Sequence, residues 1–226
     1  GFSDAVKDTG VTGICGSGII ETISQMYLVG LMTPDGLISE TNEKSTHRIQ
    51  KNGRTFRYLI YSGNVKISIN QNDIRAIQLA KAALYASAQL LMDKIKIKTI
   101  DRIILAGAFG SNIDVLYAMV LGMIPDCNLS KVTTAGNAAG TGARIALLNK
   151  NARSEIESLV EKIQKIETAV EPKFQQYFIN AMAIPHKVDT FPNLEKVITL
   201  KKDAHYHSSG SIRNFQSKHR RRRPIN

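Results

Sequence analysis

The chain has 226 residues, 43% of them hydrophobic, and a net charge of +11 from 30 Lys and Arg against 19 Asp and Glu. That length allows one large domain or two small ones, and no run of eighteen apolar residues occurs, which excludes a transmembrane helix. Two cysteines, Cys15 and Cys127, without C-x-x-C spacing, exclude a disulfide framework and a zinc or iron–sulfur site of their own and point to a reducing, cytoplasmic setting. Residues 1–12 carry Asp4, Asp8 and Thr9 where a secretory leader would be basic and then apolar, so no leader is expected. The chain starts with Gly1, and a piece of a longer protein is expected in preference to a processed product.

In chain order, residues 16–30 read as an amphipathic helix with Ile19, Ile20, Ile23, Met26 and Tyr27 on its apolar side and Gly30 as its stop. Thr33-Pro-Asp-Gly36 is a turn. Residues 40–54 are polar and read as a loop. Phe56–Tyr61 and Val65–Ile69 form a hairpin around Ser62-Gly63-Asn64. Asn70 caps a helix over 71–94, with Asp73 in the first turn and a core stripe of Ile74, Ile77, Ala80, Leu84, Ala88, Leu91 and Ile95. A β-α-β-α rhythm follows: strand 102–106, helix 114–121 ending at Gly122, strand 131–134, and a helix to Leu148 capped by Asn137. Such alternation argues for a mainly parallel sheet flanked by helices. Ser154–Gln164 reads as a helix capped by Ser154, Ile166–Ala169 as an edge strand, and Pro172–Met182 as the last helix.

Residues 1–200 thus form the body. Residues 201–226 form a separate basic segment, with Lys201, Lys202, Arg213, Lys218 and Arg220 to Arg223 against Asp203 alone. This segment reads as a disordered tail that can bind nucleic acid only non-specifically, through phosphates. His205-Tyr-His207 within it is too isolated to argue for a metal site.

Three glycine-punctuated turns carry the functional argument: Gly13-Ile-Cys-Gly-Ser-Gly18, Leu105-Ala-Gly-Ala-Phe-Gly110 and Gly136-Asn-Ala-Ala-Gly-Thr-Gly142. The second and third close apolar runs; the first and third open helices. If the two strands are neighbours, both of their turns lie at the carboxyl edge of the sheet, where α/β sheets bind ligands. Glycine there lets a base or sugar lie against backbone, but tight strand–helix packing alone would select the same residues. No P-loop is present, and the Rossmann fingerprint fails at Ile145. Cys15 fills a tight turn as a small residue, although a thiol before a helix can be acidified. Ser17 has no His or Asp pattern to activate it. Asp101, Asp114 and Asp126 lie near strand ends, where Mg²⁺ ligands would be placed, but read as turn and helix-start residues.

The words themselves resemble a family. Gly13-Ile-Cys-Gly-Ser-Gly-Ile-Ile-Glu21, Leu105-Ala-Gly-Ala-Phe-Gly110, Gly122-Met-Ile-Pro125, Gly136-Asn-Ala-Ala-Gly-Thr-Gly-Ala-Arg144 and Phe178-Ile-Asn-Ala-Met182 occur in order. Together they are similar to the C-terminal actin-like ATPase domain of the reductive activators of corrinoid proteins, over about residues 10–186. The resemblance implies an α/β actin-like lobe with a mixed or mainly parallel sheet and a small hairpin insertion. It also implies ATP as cofactor and a corrinoid protein of a methyl-transfer system as partner, with a second copy of the chain as a further option. Gly107, Ala108, Phe109 and Gly110 would form the adenosine-side turn, Gly136, Asn137 and Gly140 would lie beside it, and Gly16, Ser17 and Gly18 would line or back the cleft.

Two departures qualify the expectation. The Asp-Gly-Thr hairpins with which the superfamily holds phosphate and Mg²⁺ are missing from this sequence, and so is the Cys-rich iron–sulfur module of the family. No catalytic and no metal residue is therefore assigned, and little hydrolysis is expected from the chain alone. The rival readings are a non-enzymatic actin-like binding module and a nucleic-acid-associated protein acting through its basic tail.

Overall fold

The computed structural model describes residues 7, 9–39 and 46–200. Three strands, β1 (Ile49–Asn52), β2 (Thr55–Ser62) and β3 (Lys66–Asn70), form an antiparallel sheet in that order. Two more, β4 (Ile103–Ala106) and β5 (Val132–Gly136), pair in parallel. The helices are α1 (Gly16–Leu28), α2 (Gln71–Lys94), α3 (Ala108–Asn112), α4 (Val115–Val120), α5 (Ala138–Leu148), α6 (Lys150–Lys162), α7 (Phe174–Asn180) and α8 (Pro192–Glu195). The antiparallel and parallel strands together give the mixed α/β architecture. The basic segment 201–226 lies outside the described residues.

Local chemistry sets most helix ends where the sequence places them. Asn70 Oδ1 accepts the N–H groups of Asn72 (2.8 Å) and Asp73 (3.1 Å), and Asp73 accepts the Asn70 N–H (2.9 Å), which is a reciprocal capping box. Asp114 caps α4 through Leu116 N–H at 2.8 Å. Helix α1 stops in a Schellman motif, with Gly30 N–H on Tyr27 O and Leu31 N–H on Met26 O.

Four sequence expectations are corrected. The stretch 40–54 is not all loop: Ile49–Asn52 is an edge strand that buries Ile49 against the core, while residues 40–45 lie outside the described residues. Helix α6 starts at Lys150, not Ser154, because Asn149 ends α5 and its side chain accepts the Asn151 and Ala152 N–H groups. Thr168–Val170 is a 3₁₀ turn and pairs with no strand among the described residues. The expected last helix shrinks to Phe174–Asn180 and is followed by α8.

The core stripe of α2 is the most instructive difference. Its buried residues are Ile74, Gln78, Lys81, Ala82, Tyr85, Ala86 and Leu90, whereas Leu84, Leu91 and Ile95 are exposed. Gln78 Nε2 donates to Asp35 O and Met182 O, both at 3.0 Å. Lys81, only 1% exposed, donates to Ala183 O and to Pro185 O at 2.8 Å. These polar side chains satisfy loop carbonyls that would otherwise be buried without donors. Around them, Ile20, Ile23 and Met26 of α1, Ile69 of β3, Met119 and Val120 of α4, Phe191 and Leu194 close one apolar cluster.

Gly122 follows α4 with φ +69, and a Cβ there would lie 2.0 Å from Pro185 O. Gly122→Ala is expected to cost more than about 3 kcal/mol, because left-handed strain adds to a backbone clash. Chemical denaturation measures it; a loss below about 1 kcal/mol would refute the packing described.

His186 tests the same region through pH. Its side chain is 1% exposed, and Nδ1 accepts the N–H groups of Val188 (3.2 Å) and Asp189 (2.8 Å), so the ring is neutral with its proton on Nε2. Burial pushes its pKa down to about 4, opposed by the Asp189 charge and reinforced by Lys81. The unfolded chain therefore takes up the proton first as the pH falls, and stability is lost from about pH 6.5 toward pH 4. Burial likewise pushes Lys81 down to about 7, so its contribution rises from pH 7 toward 10.5. His186→Asn is expected to flatten the acid limb of a plot of denaturation midpoint against pH; an unchanged slope would contradict the neutral buried ring.

Candidate functional site

The three glycine turns are brought together by one parallel strand pair and one helix end. β4 and β5 run in register from Ile103↔Val132 to Leu105↔Thr134, and the register then slips so that Ala106 faces Gly136. Ala135 is the extra residue. A bulge at a strand end re-aims the following backbone. Gly107 N–H then donates to Gly136 O at 2.8 Å, so the second and third turns are joined directly at the carboxyl edge of the pair.

Both linked glycines are conformationally required. Gly107 has φ +98 and ψ 163, a region open essentially to glycine alone, and Gly136 has φ +61. Neither would meet another atom within 4 Å through an added Cβ, so backbone angle and not crowding selects glycine at both. The space beside both turns is open.

Beyond Gly107 the chain makes the short helix α3, which the sequence reading missed. It contains Ala108, Phe109 and Gly110, and it is tied down by Ser111, whose hydroxyl donates to Gly107 O at 2.8 Å, and by Asn112 Nδ2 on Ala108 O at 2.7 Å. The signal was a Ser four residues after Gly107, a spacing at which a hydroxyl reaches back to a carbonyl. Gly110 packs closely on Leu105, where a Cβ would sit 3.2 Å from Leu105 Cβ.

On the other turn, Asn137 Oδ1 accepts Gly140 N–H at 2.9 Å and caps α5. Gly140 accommodates that cap, since a Cβ would lie 2.7 Å from Asn137 Nδ2. The cap occupies one amide of the helix start and leaves those of Ala138 and Ala139 outside the intrahelical ladder.

The first turn joins through Phe109. A Cβ on Gly16 would lie 2.7 Å from Phe109 Cε2, so the start of α1 abuts the half-exposed ring of the second turn. Ser17 faces its own turn instead, with its hydroxyl 3.3 Å from Cys15 Sγ. That contact, then the Gly18 N–H, lowers the thiol pKa of exposed Cys15 below its ordinary value. Gly18 packs against Ile14 and Cys15 and supports the turn from behind. Gly16 therefore belongs with the linked turns, while Ser17 and Gly18 shape the loop behind them.

The three aspartates near strand ends do not converge. Asp114 is the α4 cap, and Asp126 accepts the N–H groups of Asn193 and Leu194 at the start of α8. No three His, Cys, Asp or Glu side chains among the described residues come together as a metal site. A cavity of about 580 Å³ opens elsewhere, between α2 and residues 188–193, and none of the glycine turns lines it. On its wall Tyr85 and Gln89 both donate to Asp189 Oδ2, at 2.9 and 2.5 Å, while Gln89 Oε1 is buried without a donor among the described residues. No helix among the described residues is long and apolar enough to cross a membrane.

Comparisons with known proteins agree with this architecture. The family model described as the C-terminal domain of RACo, the ASKHA domain, matches residues 3–195. The corrinoid activation enzyme RamQ of Eubacterium limosum is 35% identical over 190 residues, covering 78% of this chain and 32% of that protein. A solved structure of a reductive activator for a corrinoid, iron–sulfur protein superposes with a TM-score of 0.70 at 32% identity, covering 77% of this chain and 28% of the other. The chain thus spans about a third of the length of the relatives it matches. With a family match across nearly the whole described body and an actin-like fold in common, this chain belongs to the family of the C-terminal ASKHA domain of RACo.

Proposed function

We propose that this chain is the nucleotide-receiving C-terminal part of an ATP-dependent activator that returns a corrinoid protein to its reduced, active state. The observation that carries the reading is the Gly107 N–H to Gly136 O bond. It sets two glycine turns side by side at one sheet edge, and a Cβ on Gly107 or Gly136 would meet nothing within 4 Å beyond its own chain neighbours. Gly107 to Gly110 and Gly136 to Gly140 would receive the adenosine side of ATP. Bound ATP supplies the free energy that drives an otherwise unfavourable electron transfer.

The residues fit a nucleotide's base and sugar better than its phosphates and metal. Backbone at Gly107 and Gly136 can approach a flat ring, and Phe109 offers an exposed apolar wall. Asn137 holds the α5 start rigid, so the turn needs little reordering on binding. Mg²⁺ and an iron–sulfur cluster are different. Among the described residues no acidic set converges on the turns, and Cys15 is exposed while Cys127 is buried. The described residues thus fit neither group.

Three outcomes are expected. ATP slows amide hydrogen exchange at residues 107–110 and 136–140 and leaves β1–β3 unchanged; unaltered exchange at both turns would overturn the assignment. Gly107→Ala costs about 1–3 kcal/mol of stability through backbone strain and weakens ATP binding about tenfold or more. Gly142→Ala instead stabilises α5 by about 0.5–1 kcal/mol, because it has ordinary helical backbone and open space. Calorimetric titration and thermal melts read both variants, and equal effects would remove the special role of Gly107.

A further inference from the structure

Residues 46–70 contain Arg48, Lys51, Arg54, Arg57 and Lys66 and not one Asp or Glu. These residues build the β1–β3 sheet, whose two faces differ. The row Ile49, Tyr58 and Ile69 faces the core, and the neighbouring row Gln50, Arg57 and Asn70 therefore lies on the opposite face. Arg57 sits at the centre of that outer row, on the middle strand. Its Nη2 donates to Gln50 Oε1 at 3.1 Å, while its Nε is buried without an acceptor. No carboxylate among the described residues pairs with it. Because Gln50 accepts from Arg57, its amide nitrogen remains a donor beside the guanidinium. The pair offers an array of donors suited to a carboxylate.

On the same face Lys66, and in the adjoining β1–β2 turn Arg54, have exposed side chains with no hydrogen bond or ion pair among the described residues, whereas Lys51, paired with Phe56, lies on the core-facing side of the edge strand. Lysine on edge strands also discourages strand-to-strand association, which accounts for Lys51 and Lys66 alone. It does not account for Arg54 in the β1–β2 turn or for Arg57 on the central strand. Nucleic acid fits less well, because Phe56 and Tyr58 pack toward the core and cannot serve as base-stacking platforms. Arginine held on a rigid element and rimmed by loose cations is the pattern of a protein–protein anchor with electrostatic steering.

We propose that the outer face of the β1–β3 sheet docks an acidic surface of the corrinoid protein partner, with Arg57 as anchor and Lys66 and Arg54 as steering charges. This rests on the reading above that the partner is a corrinoid protein. The test measures binding of the full chain to a Co(II) corrinoid iron–sulfur protein by biolayer interferometry. Raising salt from about 50 to 300 mM is expected to slow association about tenfold. The Arg54→Glu/Lys66→Glu variant is expected to slow it about tenfold at low salt with dissociation little changed. Arg57→Ala is expected to speed dissociation about tenfold or more, with Arg57→Lys as a variant that keeps the charge and loses the fork. Thermal melts check folding, and the exposed pair Lys131→Glu/Lys150→Glu is the control. Equal effects of the sheet and control sets would overturn the docking face while leaving the functional reading intact. Absence of binding by the unmodified chain at low salt would overturn both. A 20-base-pair DNA duplex that binds more tightly than the corrinoid protein, and is lost in the same variants, would also overturn it.

Discussion

The parallel pairing of β4 with β5 is the constraint on which the candidate site depends. Two strands can run parallel only if a crossover returns the chain to the same end of the sheet, and here α3, α4 and the turn before Val132 make that return. Once they are parallel, both strands must end at the same edge. Gly107, which follows β4, and Gly136, which ends β5, are then neighbours. The hydrogen bond between them locks the ends together, and the bulge at Ala135 turns the second backbone toward the first.

A second layer of constraint comes from buried polar side chains. Lys81 and Gln78 lie inside α2 and use their donors on the carbonyls of residues 35, 182, 183 and 185. Burying an ammonium group is costly unless its hydrogen bonds are made, so this arrangement tolerates little displacement of the segment it holds. That segment continues through His186 and Asp189 to α8, whose start is held by Asp126. The body is thus closed by side chain to backbone bonds as much as by apolar packing. α5 and α6 differ: Leu147, Leu148, Val160 and Ile163 remain exposed, and only Ala152 of these helices is buried.

The glycine turns and the basic sheet divide the molecule's polar surface into two chemistries. One is an uncharged backbone edge with room for a flat ligand. The other is an acid-free sheet centred on an arginine that no carboxylate among the described residues neutralises. They lie on different elements, joined by α1 and α2 through the common core.

Sequence alone determined the features governed by local chemistry. The Asn70 and Asp114 caps, the Gly30 stop, the 62–64 turn and the three glycine words are legible because each rests on a few adjacent residues. The family was legible for the same reason, since its words are short and contiguous. The buried face of α2 was not legible, because periodicity counts apolar residues and this helix buries Gln78 and Lys81 while exposing Leu84 and Leu91. Nor were β1, whose polar residues look like loop until β2 pairs with them, or the meeting of Gly16 with Phe109, 93 residues further along the chain. Which backbone groups need a donor, and which turns touch, depends on partners far along the chain, and only the tertiary structure chooses those partners.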